Sequence, residues 1–411
     1  MTDSRCAFQI KYPYPHGDLD GGCQFDDETE LFPCGDSLYC RYHLPLADEQ
    51  DEPTEKAAWA DADSEAGAAF RREIARRIAA ALDNGDKLNL SGVVFPGDMG
   101  FRETAMPPSL WYRARFLGRA DFRKATLRDA IFQDAEFSGY ADFSFSDRRE
   151  ERQGASKGET APPASSSEAT TPTANGGSAR SRQGTFQILS FAAARIAGVA
   201  DFSNRRFKER TSFASCRFGR APEFHNAELH QDTDWDGAAF VERSGGRAQR
   251  AYRTLRLAME NNRDRSQEAV FFALEQETMR KGLPWWHANR WVSACYQGLS
   301  NYGRSLLRPT LWLLGSLLVF FLAYWVIDGQ QVMGGKRFAA LVGFTMQQLV
   351  KPFAVWGRVA TDLSPLFPFP EETKAAVIPL GFKLLATLQS LLNLTFVALL
   401  ILALRWLFKR G

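Results

Sequence analysis

From Leu90 onward, large apolar residues recur every five or six positions: Leu90, Phe95, Phe101, Met106, Trp111, Phe116, Phe122, Leu127, Phe132, Phe137 and Phe143. A second run, from Phe191 through Ile196, Phe202, Phe207, Phe213, Phe218, Phe224, Leu229 and Trp235 to Phe240, alternates steps of five and six. An amphipathic helix would repeat near 3.6 and a half-buried strand at 2, so neither element accounts for this spacing. A small residue often stands two places before the large one, as in ADF at 120–122, ATL at 125–127 and AEF at 135–137. A short structural unit repeated along an axis is the architecture that such self-similarity predicts.

The spacing and the small-before-large signature resemble the pentapeptide-repeat proteins over residues 88–242. The resemblance implies a right-handed quadrilateral β-helix in which each large residue points to the axis and each alanine fills the neighbouring inward corner. The 11 and 10 apolar centres, taken four to a coil, give about five coils, and a strand spacing of about 4.8 Å makes a rod about 25 Å long. The six-residue steps depart from a strict pentapeptide and predict a bulged, looser corner on every second face. Residues 147–184 contain no large apolar run and read as a disordered insertion that splits the rod into parts at 88–146 and 185–243.

Helical periodicity flanks the rod. Phe70, Ile74, Ile78 and Leu82 repeat every four residues and predict a helix over 66–82, stopped by Asn84 and Gly85. It follows an acidic, exposed linker at 47–64, so residues 47–87 form a linker-and-helix segment. Residues 244–304 predict a helical hairpin turning at 261–265, then a collar of Trp285, Trp286, Trp291, Tyr296 and Tyr302 beside Arg290, Arg304 and Arg308. Rings and arginines in that arrangement suit the headgroup layer of a membrane.

Two apolar runs, 309–327 and 384–407, have the roughly 20 residues needed to cross a bilayer as helices. Gln389, Ser390 and Asn393 form a polar stripe on the second, which needs a partner inside the membrane. Basic residues before the first span and after the second place both termini in the cytoplasm and predict the inner membrane as location. Between the spans, residues 338–353 carry Met346, Leu349, Val350 and Phe353 at helical spacing, interrupted by Gln347, Gln348 and Lys351. This pattern predicts a short re-entrant or surface-lying amphipathic helix.

The remaining composition narrows the chemistry. A net charge of +2 with 45% hydrophobic residues indicates folded modules without a general drive toward nucleic acid. The first residues lack the basic start and apolar core of a secretory signal, so the N-terminal part is expected in the cytosol, with its cysteines reduced or metal-bound. Cys40 and His43 form a C-x-x-H pair, and with Cys6 and Cys23 they complete a Cys3His set for a structural zinc in a module at 1–46. Cys34 or His16 could substitute, and reduced cysteines in a loop-rich segment are the alternative.

No nucleophile elbow, phosphate loop or paired-carboxylate arrangement is present, so an enzyme is not expected. The C-terminal half is similar to bacterial pentapeptide-repeat membrane proteins with a channel-like tail, on YRTLRLAMENNRD, FFALEQE, NYGRSLLRP, FTMQQLVKPF and LALRWLFKR. That likeness implies a homo-oligomeric pore, a tetramer by analogy with two-span channels. Gln389 and Asn393 would line its path, and Thr345, Gln347 and Gln348 its outer constriction. The potassium-filter sequence TVGYG is absent. The second expectation is a membrane-anchored scaffold whose rod binds a cytoplasmic protein. The duplex-mimic role of some pentapeptide-repeat proteins requires an acidic face, which the arginine-rich coils do not offer.

Overall fold

The computed structural model describes residues 5–11, 20–25, 30–145, 184–327, 335–353, 355, 366 and 378–408. They belong to two compact units, Met1–Gly282 and Leu283–Gly411. The predicted insertion lies outside the described residues except for Gly184, which already begins a strand, Gly184–Phe186.

In the first unit the apolar rhythm builds a four-sided β-solenoid of about five turns. One face stacks six short parallel strands, from Val94–Phe95 through Arg115–Phe116, Glu136–Phe137, Arg195–Ile196 and Arg217–Phe218 to Ala239–Phe240. Two further faces carry five and four strands, and the fourth pairs Gly184–Phe186 with Arg205–Phe207. Val94 pairs with Arg115, so a coil before residue 146 takes 21 residues (115 − 94). Arg195 pairs with Arg217, so a later coil takes 22 (217 − 195). The extra residue reflects the second six-residue step in each later coil.

Inward side chains stack at the pitch of the coils. Phe95 lies 4.5 Å from Phe116, and Phe116 4.7 Å from Phe137, with rings nearly parallel. Phe101, Phe122, Phe143, Phe202 and Phe224 form a second column at 4.6–5.1 Å. Ala114, Ala125, Ala130, Ala135, Ala141 and Ala200 are fully buried at the inward corners.

The six-residue corner after Phe95, Phe116 and Phe137 is tight, contrary to the looser corner expected from spacing. Glycines stack there: a Cβ on Gly118 would lie 2.4 Å from the Gly97 carbonyl carbon, and one on Gly139 2.4 Å from the Gly118 oxygen. The extra residue lets adjacent backbones approach within a distance that only glycine permits.

Both solenoid ends are covered. At the start, helix α1, Glu65–Asn84, is capped by the Ser64 hydroxyl, which accepts from the Gly67 amide, and ends at Gly85 in the left-handed conformation. Phe70, Ile74, Ile78 and Ala81 are its buried stripe, whereas Leu82 is 46% exposed. A four-residue repeat drifts about 40° per step on a helix of 3.6 residues per turn, which carries the fourth member off the face. Ahead of α1, a 3-10 turn at Glu55–Ala60 buries Lys56 and Trp59, while most of the other residues of the 47–64 segment are exposed.

At the other end, α2 (Gly246–Asn261) and α3 (Arg265–Gly282) form the predicted hairpin. Phe271 meets Trp235 and Phe240 edge-on at 5.4 Å, and the Tyr252 hydroxyl donates to the Glu242 carbonyl. Glu275 is buried in a 2.7 Å ion pair with Arg256. With each terminal coil covered, the open ladder edges that invite pairing with another chain are closed.

The second unit contains α4 (Ala288–Ser300), α5 (Leu307–Ile327), α6 (Gly335–Val350) and α7 (Leu380–Phe408). Helices α5 and α7 are long and apolar enough to cross a membrane. Phe320, Tyr324, Leu341, Phe344, Phe382 and Ala386 form the core where α5, α6 and α7 meet.

Candidate metal centre and polar helix seam

The hairpin Leu31–Cys34/Ser37–Cys40 delivers Cys40 at its end, and the following turn brings His43 back beside it. The amides of His43 and Leu44 donate to the Cys40 carbonyl, which fixes that turn. Cys6 and Cys23 enter from the preceding segments, and the Cys6 sulfur accepts from the Cys40 amide at 3.3 Å. The four ligand atoms all lie within 4.8 Å of one another. The Cys23–Cys40 sulfurs are 3.6 Å apart, and His43 Nδ1 is 3.3 Å from the Cys40 sulfur and 3.7 Å from the Cys6 sulfur. A tetrahedral metal with bonds of about 2.3 Å to sulfur and 2.0 Å to nitrogen requires separations of about 3.5–3.8 Å. Cys3His geometry of this kind can hold a metal ion.

The surroundings fit one. His43 Nε2 lies 3.1 Å from the Ser91 carbonyl oxygen, so Nε2 carries the proton and donates while Nδ1 offers its lone pair to the sulfurs. Such a hydrogen bond on the far nitrogen orients a metal-binding imidazole. Phe8 stacks on the same ring at 3.7 Å. Among these three thiols, contacts from Cys23 and then Cys40 draw Cys6 toward thiolate, while Cys23 and Cys40 are pushed up, so one thiolate is favoured without an ion and a bound metal would displace the other two protons.

Three thiolates around a divalent ion leave one negative charge, and Lys56 is the cation at hand. Its fully buried ammonium donates to the carbonyls of Arg41 and Tyr42, the two residues between Cys40 and His43, at 2.5 and 2.9 Å. It also sits over the Phe70 ring at 4.8 Å. Burial pushes the Lys56 pKa well down, and the charge of Cys40 opposes that shift. Nothing in the local sequence distinguishes this lysine from a solvated one; its partners are carbonyls of the turn that follows the hairpin. Cys34, the suggested substitute, lies outside the cluster, and His16 lies outside the described residues.

Of the residues expected to line a pore, Thr345, Gln348, Gln389 and Asn393 meet in a buried seam. The Tyr324 hydroxyl of α5 donates to Gln389 Oε1 at 2.8 Å, and Gln389 Nε2 donates to the Thr345 carbonyl of α6 at 3.1 Å. The next residue of α7, Ser390, donates to Gln348 Oε1 and accepts from the Phe353 amide, and one turn further Asn393 Oδ1 accepts from Ser316. Thr345, Gln348, Gln389 and Asn393 are each at most 2% exposed, and Gln347 is half-buried. Gln348 Nε2 and Asn393 Nδ2 have no hydrogen-bond partner among the described residues. Away from the seam, α5 and α7 expose Leu311, Leu314, Leu318, Val319, Leu384, Leu388, Leu391 and Leu394.

No curated protein and no solved structure matches the chain. The ladder continues past the matched part of the solenoid, through the coils at 184–240. Residues 90–147 match the family model described as Pentapeptide repeats (9 copies), so this stretch of the first unit is a pentapeptide-repeat solenoid.

Proposed function

We propose that the chain is a non-enzymatic, membrane-anchored scaffold: α5 and α7 cross the inner membrane with both ends cytoplasmic, and the solenoid presents its lateral faces to a protein partner. One observation carries the reading. The polar stripe of α7 is bonded to α5 and α6 of its own chain, and the faces left over are leucine-rich, as lipid-facing surfaces are. A water-filled path would need polar groups on a face turned away from the other helices. Partner contact falls to the lateral faces because each solenoid end is covered. There Arg195 and Arg217 are exposed and adjacent in one ladder, a pair suited to acidic side chains. Zinc is the metal that best suits three thiolates and an imidazole in a closed tetrahedral set, and its role here is to hold the N-terminal cap on the first coil.

A second reading, an oligomeric pore with four copies around an axis, is favoured by Gln348 Nε2 and Asn393 Nδ2, which have no hydrogen-bond partner among the described residues, beside a short helix packed against both spans. Reconstitution with Asn393→Ala separates the two. For the scaffold, the substitution lowers thermal stability in detergent and bilayers carry no current. A unitary conductance altered by Asn393→Ala establishes the pore and rejects the anchor.

A further inference from the structure

Helix α4 is amphipathic the wrong way round for water. Its outward stripe is Ala288, Trp291, Val292 and Cys295, at helical spacing of three and four and all exposed. Trp291 is 60% and Val292 67% exposed, and Trp285 and Trp286 just ahead are 68% and 71% exposed. Its inner side is polar: Ser293 shares a 3.1 Å hydrogen bond with the Tyr302 hydroxyl, Ser300 donates to the Tyr296 carbonyl, and the Gln297 carbonyl accepts from Arg308. A helix facing solvent has the opposite arrangement. The medium outside α4 is therefore apolar on one side.

Charge identifies that medium. Between residues 283 and 327 the chain has Arg290, Arg304 and Arg308 and no aspartate or glutamate. Arg304 and Arg308 are exposed, and Arg308 lies in the first turn of α5. We propose that α4 and the start of α5 form a binding surface for anionic lipid headgroups. Trp285, Trp286, Trp291 and Val292 enter the acyl boundary, and the three arginines engage headgroup phosphates. This rests on the reading of α5 as a span, since α4 joins it through 301–306. The chemistry is that of an amphipathic interfacial helix: buried rings supply the adsorption, and guanidinium groups supply a preference for negative lipid.

Cys295 reports the placement. The full chain is reconstituted into nanodiscs of phosphatidylcholine alone or of phosphatidylcholine with phosphatidylglycerol. Alkylation of Cys295 by a charged maleimide is followed by peptide mapping, and tryptophan emission by quenching with lipids brominated on their chains. Anionic discs should slow Cys295 alkylation about ten-fold or more relative to neutral ones, with strong quenching. Arg304→Gln should recover about five-fold of the rate, and R290Q/R304Q/R308Q should restore the neutral-disc rate. Equal rates in the two discs, or a triple variant that stays protected, overturn the proposal and point to a protein partner or a second copy on this face. Alkaline extraction reads integration independently. Protein that washes out of both discs overturns the spanning reading and this one together, whereas integrated protein with lipid-independent alkylation overturns this one alone.

Discussion

Removal of the zinc proposed for the Cys3His set should detach the N-terminal cap from the solenoid without unwinding the coils. The perturbation is Cys40→Ser, or a strong chelator applied to the wild type. Cap and first coil are joined by few polar links: His43 to the Ser91 carbonyl, the Val94 amide to the Tyr42 carbonyl, and Gln24 to the Ser91 carbonyl. Each contributes about 0.5–1.5 kcal/mol. An ion held by Cys6, Cys23, Cys40 and His43 would tie three separate stretches of the cap together, and a structural zinc in a small module supplies about 10–16 kcal/mol to its folding. Hydrogen exchange of the metal-free protein should show lost protection at Leu44, Ser91 and Val94, with the Phe116 to Phe218 ladder still protected. Metal analysis of the wild type should return one ion per chain. Unchanged protection at Ser91 and Val94 after verified metal removal, or purified protein without stoichiometric metal, would refute the reasoning.

Three further outcomes follow from the packing. Gly118→Ala places a Cβ against the Gly97 backbone and should cost about 1–3 kcal/mol in denaturant unfolding, whereas Gly100→Ala, with open space at its Cβ, should cost far less. Gln389→Leu removes bonds to Tyr324 and Thr345 and should lower stability in detergent by about 0.6–2 kcal/mol. Burial, and then the charge of Glu223, push the Asp201 carboxyl up. A carboxyl whose folded pKa is raised contributes stability at low pH that is lost as pH rises through that pKa. Asp201→Asn should therefore raise Tm at neutral pH and leave it nearly unchanged in acid; a lower Tm at neutral pH would assign Asp201 an ionised, stabilising role.

The parts legible in the sequence were those that repeat or that obey a local rule. Phe95, Phe116 and Phe137 declare their column because each coil repeats the last, and Cys40 and His43 declare theirs because one tight turn joins them. Spacing alone could not place what depends on distant partners. Lys56 sits in a segment that reads as an acidic linker, yet it is buried under carbonyls 14 and 15 residues away. Arg205 resembles its solvated neighbour Arg206, but it donates to the carbonyls of Phe143 and Phe122 and lies 4.3 Å from the Phe186 ring. Burial there pushes its pKa down to about 9. The stripe of Gln389, Ser390 and Asn393 was visible, but its partners Tyr324, Gln348 and Ser316 lie on other helices. A stripe facing an axis and a stripe facing a neighbouring helix have the same sequence.

The central claim, an anchor whose polar stripe on α7 bonds to α5 and α6 of its own chain, is tested most directly by current recording across planar bilayers containing the purified full-length protein. The account predicts bilayers that stay silent at every voltage while the protein remains integrated and folded. Discrete, voltage-dependent current steps that change size when Asn393 or Gln389 is substituted would contradict it.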